Sequence, residues 1–117
     1  MATIRDLVGA IRKRDGVDAV IVLGRDGLVI DSQAGDGFTP DDVAAHVPSV
    51  LAAADELGGT AGRGTLSTAV LEYPRGLAVV SVLSADAVLL VLAQPNPNLG
   101  QLLFELRRNR EHIAALV

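Results

Sequence analysis

TPDDVAAHVPSVLAAADELGG, residues 39–59, reads as one helix. Thr39 suits its N-cap and Pro40 its first position, and Asp41 and Asp42 favour the positive end of the macrodipole. Gly58 and Gly59 suit its end. Val43, Val47, Val50, Ala54 and Leu57 recur at helical spacing and form a stripe that would pack on a core. Ala44, Leu51 and Ala53 widen the apolar arc well beyond the roughly 100° that one contact needs. Ala45 and Ala52 lie on the far side and add no charge. A helix this apolar should touch something on more than one side. Pro48 removes one backbone hydrogen bond and clashes with the preceding turn, which predicts a kink near residues 44–47. Two shorter helices broken at Val47 are the alternative; the apolar stripe running across Pro48 favours one kinked helix.

Upstream, Ile4, Leu7, Val8 and Ile11 share one helical face, Thr3 suits a cap, and Asp6 lies in the first turn, so residues 3–14 read as an amphipathic helix ended by Asp15-Gly16. VDAVIVL, residues 17–23, is β-branched and almost continuously apolar, the pattern of a strand covered on both faces. Asp26-Gly27 marks a tight hairpin turn. Residues 28–32 return as an alternating strand, with Leu28 and Ile30 on one face and Val29 and Asp31 on the other, which suits an edge.

Downstream, Gly58, Gly59, Gly62 and Gly64 punctuate a loop. A phosphate cradle would need Gly-Lys-Ser/Thr and a following helix, whereas Arg63 stands alone and a strand follows, so the loop reads as a connector. LSTAVLEY, residues 66–73, alternates and reads as a half-exposed third strand. Residues 77–83 and 87–93 are apolar on both faces and read as a fourth and fifth strand, separated by a Ser84-Ala85-Asp86 turn. After a proline-containing loop, Asn98 suits the cap of a last helix over residues 99–116, with a stripe of Leu99, Leu102, Leu103, Leu106 and Ile113 interrupted by Arg110. A long arginine can bury its stem there and keep its head in water. Arg107, Arg108 and Arg110 complement the macrodipole; a docking patch for an acidic partner is the alternative.

The order is α-β-β-α-β-β-β-α, an α+β sandwich. A hairpin and a three-stranded meander in which strands one, four and five are central give one simple antiparallel sheet, 2-1-5-4-3. Buried strands need cover on both faces, so one face carries the middle helix and the other the two terminal helices. Strand three is then an open edge without proline or lysine, next in sequence to an over-apolar helix. Together these predict a two-fold homodimer through Val47, Leu51 and Ala54 of the helix and Leu66, Thr68, Val70 and Glu72 of the strand.

The totals narrow the chemistry. At 117 residues the chain is expected to form a single domain over residues 1–117, half hydrophobic and with no cysteine for disulfides, thiolate metal sites or a nucleophile. The charge of −4 and the mere three aromatic residues, Phe38, Tyr73 and Phe104, argue against nucleic acid as a partner. No apolar run is long enough for membrane insertion, and the charged N-terminus lacks a signal-peptide core, which suggests a cytoplasmic location. Of ten basic residues Lys13 is the one lysine, a bias that suggests a GC-rich bacterial genome. His46 reads as packed or interfacial, and His112 lies among charges. No HExxH, GxSxG or paired metal-ligand spacing occurs, and the acidic pairs suit a helix start and a polar helix face. The expectation is no catalytic residue, no metal and no cofactor.

In VDAVIVLGRDGLVIDSQ (residues 17–33), ADELGG (54–59) and VLLVLA followed by NLGQLLFELRR (98–108), the chain resembles the Roadblock/LC7 family, close to its bacterial MglB-like branch. The resemblance covers almost the whole chain, and it rests on order and spacing, since none of these segments is a catalytic signature. It implies dimers with a continuous sheet that act as regulators or scaffolds for small Ras-like GTPases. For MglB-like members it implies stimulation of GTP hydrolysis without a catalytic residue of their own. The partner is implied to dock on the face of the paired middle helices, here Ala44, Ala45, Pro48 and Ala52. A structural dimerisation subunit without GTPase contact, or a small-ligand sensor with a pocket near the glycine-rich loop, are the other readings.

Overall fold

The computed structural model describes residues 3–95 and 99–117. Elements follow in the order α1 (Ile4–Arg12), β1 (Val17–Gly24), β2 (Val29–Ala34), α2 (Pro40–Ala44), α3 (Val47–Thr60), β3 (Thr68–Tyr73), β4 (Gly76–Val82), β5 (Ala87–Ala93), α4 (Leu99–Arg108) and α5 (Arg110–Ala115). The five strands form one antiparallel sheet in the order β2-β1-β5-β4-β3, as the sequence predicts.

Period-two alternation splits the side chains of the central strands into two apolar layers. Val20, Val22, Val79, Leu89 and Val91 face Val8 of α1, Leu102 and Leu106 of α4 and Ile113 of α5. Ile21, Leu23, Val80, Val88 and Leu90 face Ala44 of α2 and Val47 and Leu51 of α3. The middle helices thus cover one face and the terminal helices the other. β1, β4 and β5 are almost wholly buried, whereas β2 and β3 are half-exposed. Ionic contacts fasten the helices: Arg5 of α1 donates to Asp31 of β2 at 3.1 Å, and Arg14 pairs with Glu105 of α4.

Thr3 and Asp6 close a capping box on α1, the Thr3 N–H donating to Asp6 Oδ2 at 3.0 Å and the Asp6 N–H to Thr3 Oγ1 at 3.2 Å. Asn98, expected to cap α4, lies outside the described residues.

Several sequence expectations need correction. The middle helix is two helices and not one kinked helix, with the break at Ala45-His46. Pro48 has no N–H to offer a preceding turn, but in the first turn of a new helix it needs none, so the chain restarts there. Thr39 occupies the N-cap of α2 without a side-chain capping bond.

The restart also shifts the buried stripe. Ala44, Val47 and Leu51 are buried, Val43, Val50 and Ala54 flank them, and Leu57 is 71% exposed. Gly58 and Gly59 do not end the helix: α3 runs through them to Thr60, and it is Gly62 that turns the chain at φ 70°. In β2 a bulge leaves Ile30 unopposed between Val29, which faces α3, and Asp31, which faces α1, so those two do not share a face. The last helix divides at Asn109, whose Nδ2 donates to the Glu105 carbonyl at 2.9 Å.

Candidate interaction surface

The open edge β3 is the outer strand on one side of the sheet. It pairs with β4 in unbroken register from Thr68↔Ser81 to Tyr73↔Gly76. The opposite edge, β2, is interrupted by the Ile30 bulge, a device that blunts edges, whereas β3 carries no such interruption.

β3 is placed by the loop before it, and Asp55 of α3 holds that loop. Its Oδ1 accepts the Leu66 N–H at 2.7 Å, and its Oδ2 accepts Arg25 Nη2 of the β1–β2 turn at 2.9 Å. The Arg63 N–H closes back on the Gly58 carbonyl at 2.7 Å. A Cβ on Gly58 would collide with the Gly64 carbonyl, so glycine is required where the loop folds against the helix.

The middle helices lie over the sheet centre and leave β3 partly bare. Two apolar grooves result. One runs along the C-terminal half of α3 past Ala54, Leu57, Ala61, Leu66 and Ala69. The other is lined by Val43, Val50, Leu71, Tyr73 and Leu92, with His46 at its rim. On the opposite face Arg110 reaches from α5 to β3, its Nη2 donating to Thr68 Oγ1 at 2.6 Å, while its Nε is buried with no partner among the described residues.

Of the residues expected at a dimer interface, Ala54, Leu66, Thr68, Val70 and Glu72 lie at this edge or its grooves, with Glu72 exposed. Val47 and Leu51 sit inside the protomer's own core. Of the residues expected at a partner-docking face, Ala45 and Ala52 are on the surface and Pro48 is half-buried over Gly27. Ala44 is wholly buried and has no surface to offer. Sequence reasoning assigned no surface role to Leu57, Leu71 and Tyr73, and no structural role to Asp55. The sequence places Leu57 in the stripe expected to pack on the core, and the over-wide apolar arc signals surplus apolar surface on the helix without singling Leu57 out.

Among the described residues no group of three or more histidine or acidic side chains could hold a metal, and no helix is long and apolar enough to cross a membrane. His46 and His112 are both exposed. The arrangement offers hydrogen-bonding edge, apolar groove and small surface side chains, which are the means of association.

The Roadblock/LC7 domain family model matches residues 3–93, from the cap of α1 to the end of β5. The chain belongs to the Roadblock/LC7 family. An uncharacterized Methanocaldococcus jannaschii protein, MJ1340, is 30% identical over 106 residues, covering 91% of this chain and 92% of its own length. Among solved structures, Myxococcus xanthus MglB superposes with a TM-score of 0.87 at 15% identity, covering 97% of this chain and 93% of that one. The gliding protein MglB from Thermus thermophilus gives 0.84 at 18% identity, covering 97% and 87%. At such identities the likeness is one of fold. The sandwich predicted from strand patterning is therefore the Roadblock/LC7 fold, with the middle helix divided at Ala45-His46.

Proposed function

We propose that this Roadblock/LC7 protein is a non-enzymatic homodimeric regulator or scaffold that binds a small Ras-like GTPase on its paired middle helices. The observation that carries the reading is the unbroken, unblunted β3 edge bordered by apolar grooves and the exposed Leu57. A second copy adding its own β3 would continue the sheet and lay its α3 beside the first, covering those grooves. The two helices together would present Ala45 and Ala52 of both copies as one platform of small side chains. What supports a GTPase as the occupant is family membership, since the resemblance to Roadblock/LC7 proteins implies partners of that kind.

Two measurements test this. Light scattering on a sizing column should return about twice the 12.1 kDa chain mass. Capture from the native lysate, with GDP or a GTP analogue added, should retain a small GTPase in one nucleotide state only. Nucleotide-independent capture of a larger assembly without any GTPase would favour a structural dimerisation subunit instead.

A further inference from the structure

The geometry points to one register for the pairing of two β3 strands, fixed by an ion pair between Arg110 of one copy and Glu72 of the other. This rests on the homodimer reading above and adds the register and the residues that select it.

The backbone comes first. The Ser67 carbonyl accepts the Val82 N–H at 2.9 Å, so Ser67 points its polar groups at β4. Alternation in an antiparallel ladder then turns those of Ala69, Leu71 and Tyr73 the same way and leaves Thr68, Val70 and Glu72 offering theirs to the open edge. Side chains follow the same parity. Val70 packs in the terminal-helix layer and Thr68 receives Arg110 of α5, so Thr68, Val70 and Glu72 share that face, while Ala69 and Leu71 face the α3 layer.

A two-fold that keeps like faces together must be centred on a residue of β3. Centred on Ala69, it would set Glu72 opposite Leu66, whose N–H is already given to Asp55 Oδ1 at 2.7 Å. Centred on Leu71, it would set Thr68 opposite Pro74, which has no N–H to donate. Centred on Val70, it pairs Val70 with Val70 of the partner subunit and Thr68 with Glu72 of the partner subunit. Every outward group then has a partner.

The charges agree with this register. Directly opposed residues hold their Cβ atoms about 5 Å apart. Glu72 of the partner subunit would therefore arrive beside Thr68, where the Arg110 guanidinium already lies with Nη2 at 2.6 Å from Thr68 Oγ1. Glu72 is exposed and belongs to none of the three ion pairs among the described residues. The two-fold forms the pair twice, and a guanidinium with a carboxylate is the strong form of hydrogen bond.

The test is a charge exchange read as a dimer dissociation constant by analytical ultracentrifugation, with circular dichroism to confirm folding. Arg110→Glu and Glu72→Arg should each weaken the dimer by about tenfold or more, and the double variant should recover most of the loss. The chain has no cysteine, so Val70→Cys provides a second measurement that does not depend on the charges. Opposed Cα atoms about 5.5 Å apart lie within disulfide range, so Val70→Cys should oxidise to a covalent dimer and Leu71→Cys should not. A wild-type monomer at micromolar concentration would overturn the homodimer and the register with it. A wild-type dimer whose charge-exchange losses simply add, or which cross-links through Leu71→Cys and not Val70→Cys, would overturn the register and leave the homodimer standing.

Discussion

Asp55 joins three segments that are far apart in sequence. Its carboxylate holds the Arg25 side chain from the first hairpin turn and the Leu66 N–H from the loop that leads into β3. Arg25 and Asp55 are partly exposed, so the ion pair alone contributes little. The larger loss on truncation is the half-buried Leu66 N–H left without its acceptor. Asp55→Ala should therefore lower stability by about 1–3 kcal/mol, and Asp55→Asn by less, because an amide oxygen can still accept from Leu66. Urea unfolding measures both; equal losses in the two variants would put the energy in the charge. Gly58 gives a prediction of opposite sign to propensity. In a helix interior, alanine for glycine is worth about 1 kcal/mol of added stability. Here the new Cβ meets the Gly64 carbonyl, a backbone group that cannot swing away, so Gly58→Ala should destabilise. A raised melting temperature would show that the loop does not pack on the helix as described.

At the scale of elements, the two edges of the sheet differ in kind. β2 carries a bulge, while β3 offers the N–H groups of Thr68, Val70 and Glu72 to a neighbour. Proline distinguishes the two sides of β3. At Val70 it removes an outward donor and leaves the ladder to β4 intact, so Val70→Pro should give a folded monomer. At Leu71 it removes a bond inside the sheet, so Leu71→Pro should lower the melting temperature of the protomer itself. Light scattering and a thermal melt on the two variants check this, and a dimeric Val70→Pro would place the contact elsewhere. The elements themselves were legible because their environments leave different patterns. Strands buried on both faces are continuously apolar, as in residues 17–23, 77–83 and 87–93, and the edge strands alternate. The helix break was not legible in position, because a proline inside an apolar stripe is compatible with a kink or with a restart, and tertiary packing under Pro48 decides between them. The roles of Asp55 and Arg110 were hidden for another reason. Asp55 meets partners 11 and 30 residues away and Arg110 one 42 residues away, and no helical or strand spacing encodes such contacts. Alternation makes β3 legible as an edge and the strand order follows from it, but the expected interface includes Val47 and Leu51, which the shifted helix phase turns into the protomer's core.

At the scale of the whole molecule, the proposed docking platform exists only in the pair. One protomer spends the face of Ala44, Val47 and Leu51 on its own sheet and leaves Ala45 and Ala52 on the surface. Two copies joined at β3 would set those surfaces side by side and enlarge them towards the roughly 800 Å² per partner of a specific interface. Small side chains there would let a partner approach the helix backbone closely. Arginine at Ala52 adds bulk and charge with little loss of helix propensity, and at Ala45 it lies on an exposed position between the helices. Ala45→Arg and Ala52→Arg should therefore change stability by no more than about 0.5 kcal/mol, keep the dimer mass, and abolish capture of the GTPase. Arg107→Glu with Arg108→Glu, on the terminal-helix face, should leave capture unchanged. The reverse outcome, with capture lost from the arginine pair and kept in both alanine variants, would move the docking site to α4 and α5. It would leave the dimer as a scaffold whose middle helices serve association between its own copies.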